Sequence, residues 1–336
     1  MANAFFRRRP GRAAIPILAL ASNLPDVDVL VHVTLSPTAI LMRRTFGHSF
    51  FTLPGWCALL AILLGRFFPE VRRGTLFALA LLGAGVHLFF DLVNSFGVVL
   101  LWPFSDWRPE LAMVFIIDLV LTGLLLLPLL ICLPRGLRPR LAAASRAGLA
   151  CAAIYVILCG AARLRAERML AAEASALEPR PRFTYVFPEP FGPQRWRGVV
   201  RQEDTWFVYL IRPLSGGMEK RRIVGTQEGD PRVERVRATR LGSRLEWFFK
   251  APVWKVREAP SGAGGPDGPG GGEPGTAIVG VHDLRFTSLV LERRGPFVYW
   301  FRVRADGRVE RLHRLAVGPE AGGSAAPAGL SGRAGS

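Results

Sequence analysis

Two residues inside a long apolar run carry groups out of keeping with it. His87 and Asp91 lie in Val86-His-Leu-Phe-Phe-Asp-Leu-Val-Asn-Ser-Phe-Gly97, within an apolar stretch from Gly74 to Leu101. Their i, i+4 spacing puts both on one face of a helix. A charged residue at the centre of a bilayer costs roughly 2.5–3.5 kcal/mol on insertion scales, so such a pair persists where it faces a protein interior, a partner or an ion. Imidazole and carboxylate together suit zinc, manganese or iron, and carboxylate-rich sets also suit magnesium or calcium. A bound ion lowers the pKa of its water towards neutrality, which is the chemistry of metal-assisted hydrolysis. The plain alternative is a buried His–Asp hydrogen bond that holds helices together.

Further ligand-type residues stand near the ends of other apolar segments. Asp26 and Asp28 follow Leu24-Pro25 in an Asp-x-Asp pattern, which can converge from a turn; a solvated loop with capping aspartates is the bland reading. His48 stands just before an apolar run, where a lone histidine is more often interfacial than a ligand. Asp118 opens a later run and is a candidate ligand, supporting carboxylate or general base. Asn94 and Ser95, on the turn after Asp91, are placed to orient a ligand or substrate.

The elements that must position these groups are five apolar segments, at about 13–31, 50–68, 74–101, 111–133 and 147–162. The middle one ends in Leu101-Trp-Pro-Phe-Ser-Asp-Trp107, an aromatic belt with a helix-breaking proline. The basic N-terminus leads into further apolar runs, so we expect a first membrane segment rather than a cleaved signal peptide. With five crossings and the N-terminus inside, the inner side holds Arg7, Arg8, Arg9, Arg12, Arg66, Arg72, Arg73, Arg135, Arg138, Arg140 and Arg146. The short outer loops hold only Arg43, Arg44 and Arg108. The excess of inside arginine favours this orientation, although Arg163, Arg165 and Arg168 after the fifth segment argue weakly against it. On this topology the C-terminal half lies outside. His48, His87, Asp91, Asp118 and the Asp26/Asp28 pair then share the outer face, and this convergence is the strongest physical argument for a site.

Residues 178–316 read as a soluble antiparallel β-domain, from runs such as Trp206-Phe-Val-Tyr-Leu-Ile211, Leu245-Glu-Trp-Phe-Phe249 and Phe297-Val-Tyr-Trp-Phe-Arg-Val303. The Gly/Pro-rich stretch 260–276 is expected to be a flexible loop and residues 317–336 a disordered tail. His282 and His313 lack partners in sequence and read as structural or surface residues. The domain organisation expected is thus a helical membrane domain over 1–165, then the β-domain. The net charge of +17 is accounted for largely by arginines flanking apolar runs, and no nucleic-acid-binding motif accompanies it. Cys57, Cys132, Cys151 and Cys159 lie in apolar segments without zinc-ligand spacing and read as small hydrophobes.

Three stretches carry a resemblance. Leu24-Pro-Asp-Val-Asp-Val-Leu30, Arg44-Thr-Phe-Gly-His-Ser49 and His87-Leu-Phe-Phe-Asp-Leu-Val-Asn-Ser-Phe-Gly-Val-Val-Leu-Leu-Trp-Pro-Phe-Ser105 look like the three motifs of the YdjM/YfhP family, bacterial inner-membrane proteins described as metal-dependent hydrolases. Phe115-Ile-Ile-Asp118 looks like the family's later Asp motif, and the entry to the C-terminal half, with Pro190 and Trp196, resembles the YfhP-like branch. The resemblance implies metal ligation by Asp26, His48, His87 and Asp91. Family members usually carry an earlier Thr-His, and often His-Arg-Gly before Thr-His-Ser. Here the stretch is Arg43-Arg44-Thr45, and Gly47 stands in place of the Thr.

The first expectation is therefore a membrane-bound, multi-pass metal-dependent hydrolase of a bacterial inner membrane. Asp26, Asp28, His48, His87 and Asp91 hold a divalent ion, zinc first and manganese or magnesium as alternatives. Asp118 or Asp28 serves the chemistry, and the substrate is an ester or phosphoester at the membrane surface, with membrane lipids as neighbours. The alternative is a non-catalytic membrane scaffold or stress-response protein whose β-domain binds a protein partner. An ion transporter ranks last, because segments two and five offer no charged residue in mid-membrane.

Overall fold

The computed structural model describes residues 14–29, 39–259, 275–291 and 297–312. The basic N-terminal flank, most of the 260–276 stretch, the tail and His313 lie outside them. Helices fill the N-terminal half: α1 (Ala14–Asn23), α2 (Leu53–Leu64), α3 (Arg73–Val93), α4 (Leu119–Ile131) and α5 (Leu141–Ser175). Two are long and apolar enough to cross a membrane, α3 and the stretch Gly136–Ser175 that contains α5. At 1.5 Å per residue, 21-residue α3 is about 31 Å long, matching a hydrocarbon layer of about 30 Å. The other three have only 10, 12 and 13 residues.

The apolar runs are shortened by residues that end helices. Asn94 turns to an extended backbone, and its side chain accepts from the Phe96 amide at 2.8 Å, so α3 stops well before Leu101. Asp118 caps α4 by accepting from the Leu121 amide at 2.9 Å, so residues 111–118 are not helical. Conversely, the last helix does not stop near Ala162. Its alanine stripe continues through Ala166, Leu170 and Ala174, and these pack against Val186, Trp196, Val200 and Ile211 of the first sheet. One helix thus runs out of the apolar layer and carries the sheet.

Two antiparallel sheets follow. The first is a meander of β1 (Phe183–Pro188), β2 (Trp196–Gln202), β3 (Thr205–Arg212) and β4 (Gly217–Gly225). The second orders β5 (Pro252–Glu258), β6 (Ala277–Asp283), β7 (Val298–Val303) and β8 (Val309–Leu312). Between them lie α6 (Pro231–Arg237) and α7 (Arg240–Phe248). The run at Leu245, expected as strand, is helical. Thr239 caps α7 through the Gly242 amide at 3.0 Å, and Gly242, Leu245 and Phe248 are buried at helical spacing. His282 lies in β6.

The second sheet's core includes two residues from the N-terminal half, Leu41 and Phe96, packed with Phe248, Phe249, Trp254 and Phe297. The loop after α3 is therefore shared by both halves. Cys57, Cys132 and Cys159 are buried, Cys151 is exposed, and all four are free thiols.

Candidate metal centre

Three separate chain segments deliver the cluster. The turn after α1 carries Asp26 and leads into helical residues 27–29, which hold Asp28. The short 3-10 turn Phe46–His48 carries His48, and α3 carries His87 and Asp91. Gly47 lets the first two meet, since a Cβ there would run into the Pro25 carbonyl oxygen and lie 3.2 Å from the Asp28 Cβ. The 46–50 turn is tied to the loop after α3 by Phe50 N to Leu100 O at 3.0 Å, Val99 N to Arg44 O at 2.9 Å and Ser49 Oγ to Trp102 O at 2.5 Å. Close packing of α1 on α3 completes the frame, with Gly83 leaving room for Ala21.

The His48 and His87 rings are 5.3 Å apart between centroids. Asp91 Oδ2 lies 3.0 Å from His48 Nε2 and 3.2 Å from His87 Nε2. These three atoms are buried, yet none has a partner with hydrogen-bond geometry. Asp26 Oδ2 stands 3.9 Å from His87 Nε2, and ligand atoms of Asp26, His48 and His87 all lie within 4.8 Å of one another. In a tetrahedral zinc site with bonds of about 2.0–2.1 Å, donor atoms sit about 3.3 Å apart. Each imidazole nitrogen stands near that spacing from the Asp91 oxygen, and the donor types fit a divalent ion.

Two contacts fix the donors. Asp28 Oδ2 lies 3.0 Å from His48 Nδ1 and accepts the Thr45 amide at 3.1 Å. With the proton on Nδ1, the Nε2 lone pair is left for a ligand, the usual arrangement of a carboxylate behind a metal-binding histidine. Arg44 reaches Asp91 Oδ1 at 2.8 Å and Asn94 Oδ1 at 3.0 Å, which leaves Asp91 Oδ2 for the histidines. Burial opposes protonation of His48, but the Asp28 and Asp91 carboxylates outweigh it and raise its pKa above the ordinary value. The surroundings thus favour positive charge at this point.

The predicted residues take different places. His48, His87 and Asp91 come together, with Asp26 at their more exposed edge. Asp28, expected as a ligand or catalytic group, instead has its Oδ2 on the far ring nitrogen of His48, and its Oδ1 is buried without a hydrogen bond. Asp118, expected as base or supporting carboxylate, spends both oxygens elsewhere: one caps α4 and the other accepts from Tyr155 at 2.8 Å. It is not among the groups brought together. Asn94 orients Arg44 rather than a ligand directly. Ser95 is buried, and among the described residues no hydrogen bond joins it to the cluster.

The residues that sequence reasoning missed connect the site to the C-terminal half. Phe96 has two guanidinium groups over its ring, Arg44 at 4.6 Å and Arg108 at 4.8 Å from its centroid. Arg285 donates to the Phe96 carbonyl at 3.2 Å and pairs with Glu110 at 3.5 Å. Glu110 also takes Lys250 at 2.9 Å and the Tyr185 hydroxyl at 2.7 Å. Trp247 donates to the Asp106 carbonyl at 2.9 Å. The sequence signal for this link is Arg44 and Arg108, in two nominally outer loops.

The helical half thus holds two apolar helices of membrane length and a buried His/Asp cluster that is a candidate ion site. The chain belongs to the YdjM inner membrane protein family, whose model matches residues 1–168. A 93-residue stretch is 30% identical to the uncharacterized protein YfhP of Bacillus subtilis (strain 168), covering 27% of this chain and 28% of that protein. The matched stretch is thus under a third of either protein. No solved structure matches.

Proposed function

We propose that the chain is a membrane-bound metal-dependent hydrolase acting on an ester or phosphoester at the membrane surface. The observation that carries this is the trio His48 Nε2, His87 Nε2 and Asp91 Oδ2, buried within 3.0–3.2 Å of one another along each His–Asp pair without hydrogen bonds. These three would hold a divalent ion, with zinc favoured by two imidazoles, and Asp26 would close the set from the exposed side. Such an ion would supply an activated water and a Lewis acid. Asp28 sets the His48 tautomer, and Arg44 holds Asp91 in place. Asp26, 41% exposed at its side chain, stands where substrate oxygen would enter.

The multi-pass arrangement belongs to the same proposal. All five helices pass through the apolar layer in this arrangement, the shorter α1, α2 and α4 included, with the N-terminus inside by the arginine count. The cluster and the C-terminal half then lie at the outer face.

Metal analysis of the full chain purified in detergent tests this reading. About one ion per chain, lost in both His48→Ala and His87→Ala, supports it. A native protein without metal, or one that keeps metal in both variants, overturns it and leaves the scaffold reading.

A further inference from the structure

The helical half leaves a hollow of about 330 Å³ between α1 and α3 on one side and α4 and α5 on the other. That volume lies within the range of sites that hold small organic ligands. Leu18, Gly83, Val86, Phe90, Leu125 and Leu129 supply most of its apolar wall. Ile15 and Leu129 at its margin are exposed, so it opens to the side of the helices. Ser145 Oγ, in the α5 wall, is buried without a hydrogen bond.

What fills such a space depends on its surroundings. The walls belong to helices of a membrane protein family, where the solvent is hydrocarbon, and void space forfeits dispersion contacts. One end of the hollow is level with the candidate metal centre along α3. Val86 and Phe90 immediately precede His87 and Asp91 on α3, and Ser22 lies one helical turn before the Asp26 loop. A hydrocarbon tail lying in the hollow with its polar head at that end would hold the head at the depth of the cluster.

We infer that this hollow is a groove for an acyl chain of a bilayer lipid, whose ester or phosphoester it presents to His48, His87 and Asp91. This deepens the hydrolase reading and rests on it for the chemistry, while the binding of the chain does not.

The test uses the full chain in vesicles of phosphatidylethanolamine and phosphatidylglycerol, doped with a phospholipid carrying a diazirine in its acyl tail. After irradiation, adducts are mapped by mass spectrometry, and metal content is measured on the same samples. Adducts concentrate on the groove-facing residues of α1, α3 and α4. Ala19→Phe, which fills the groove from an exposed position, removes them and keeps the metal; Leu149→Trp does the same from the opposite wall. Ala143→Phe, exposed on α5 outside the groove, changes neither. Adducts spread evenly over the exposed helix faces, or undiminished in both filling variants, overturn the groove. Groove-specific adducts on a native protein without metal uphold the groove and sink the hydrolase instead.

Discussion

Asp28 Oδ2 lies 3.0 Å from His48 Nδ1, the ring nitrogen that faces away from His87 and Asp91. An outlying carboxylate of this kind fixes a histidine's tautomer and raises its basicity, and its loss typically costs about 10–100-fold in metal affinity. Asp28→Asn is therefore expected to weaken metal binding by about that factor without abolishing it. His48→Ala abolishes it. Competition titration with a chelating dye distinguishes the two, and equal loss in both would mean that Asp28 is itself a ligand.

Arg44 bridges Asp91 and Asn94 while stacking on Phe96. A lysine keeps the charge but lacks the planar fork, so it serves one partner at a time and stacks poorly. Arg44→Lys is expected to cost about 1–3 kcal/mol of stability and to lower metal affinity. A shift in thermal melting together with a weaker dye competition would confirm it. Unchanged metal affinity would remove Arg44 from the support of Asp91.

Gly47 is required because a Cβ would enter the space of the Pro25 carbonyl oxygen. Overpacking of this kind costs about 1–3 kcal/mol, and relief must come from moving the His48 turn away from the Asp26 turn. Gly47→Ala should thus lower the melting temperature and release metal, whereas Gly55→Ala, where a Cβ meets nothing within 4 Å, should do neither. Metal retained at full stoichiometry in Gly47→Ala would show that the two turns are not so closely packed.

Glu110 gathers Arg285, Lys250 and the Tyr185 hydroxyl, and Arg285 also holds the Phe96 carbonyl. Removing one partner of a buried pair strands the other, at about 3–5 kcal/mol. Glu110→Gln is expected to loosen the C-terminal half from the loop after α3, seen as faster proteolysis between α5 and the sheets. If the cleavage rate stays at the native value, this network does not bind the halves together.

That His48, His87 and Asp91 come together was legible in sequence because the signals are one-dimensional. The i, i+4 spacing of His87 and Asp91 fixes their common face, and polar residues in apolar runs stand out by their cost. The role of Asp28 was not legible, since it depends on which ring nitrogen of His48 it meets. Asp118 misled for a related reason: an aspartate just before an apolar helix is equally well placed to cap it, and here it does. Helix lengths were overestimated where Asn94 and Asp118 end helices inside apolar composition. Leu245-Glu-Trp-Phe-Phe249 was expected as strand from its aromatic content, but the Thr239 cap and the burial of Gly242, Leu245 and Phe248 select a helix. The Arg285 bond to the Phe96 carbonyl joins residues 189 positions apart in the chain, a relationship no local pattern reveals.

The X-ray absorption spectrum of the metal in the purified native protein tests the central claim most directly. The account predicts a nitrogen and oxygen shell at about 2.0–2.2 Å with the outer scattering of two imidazoles, and loss of that signal with the metal in His87→Ala. A sulfur shell at about 2.3 Å, or a spectrum unchanged by that substitution, would contradict it.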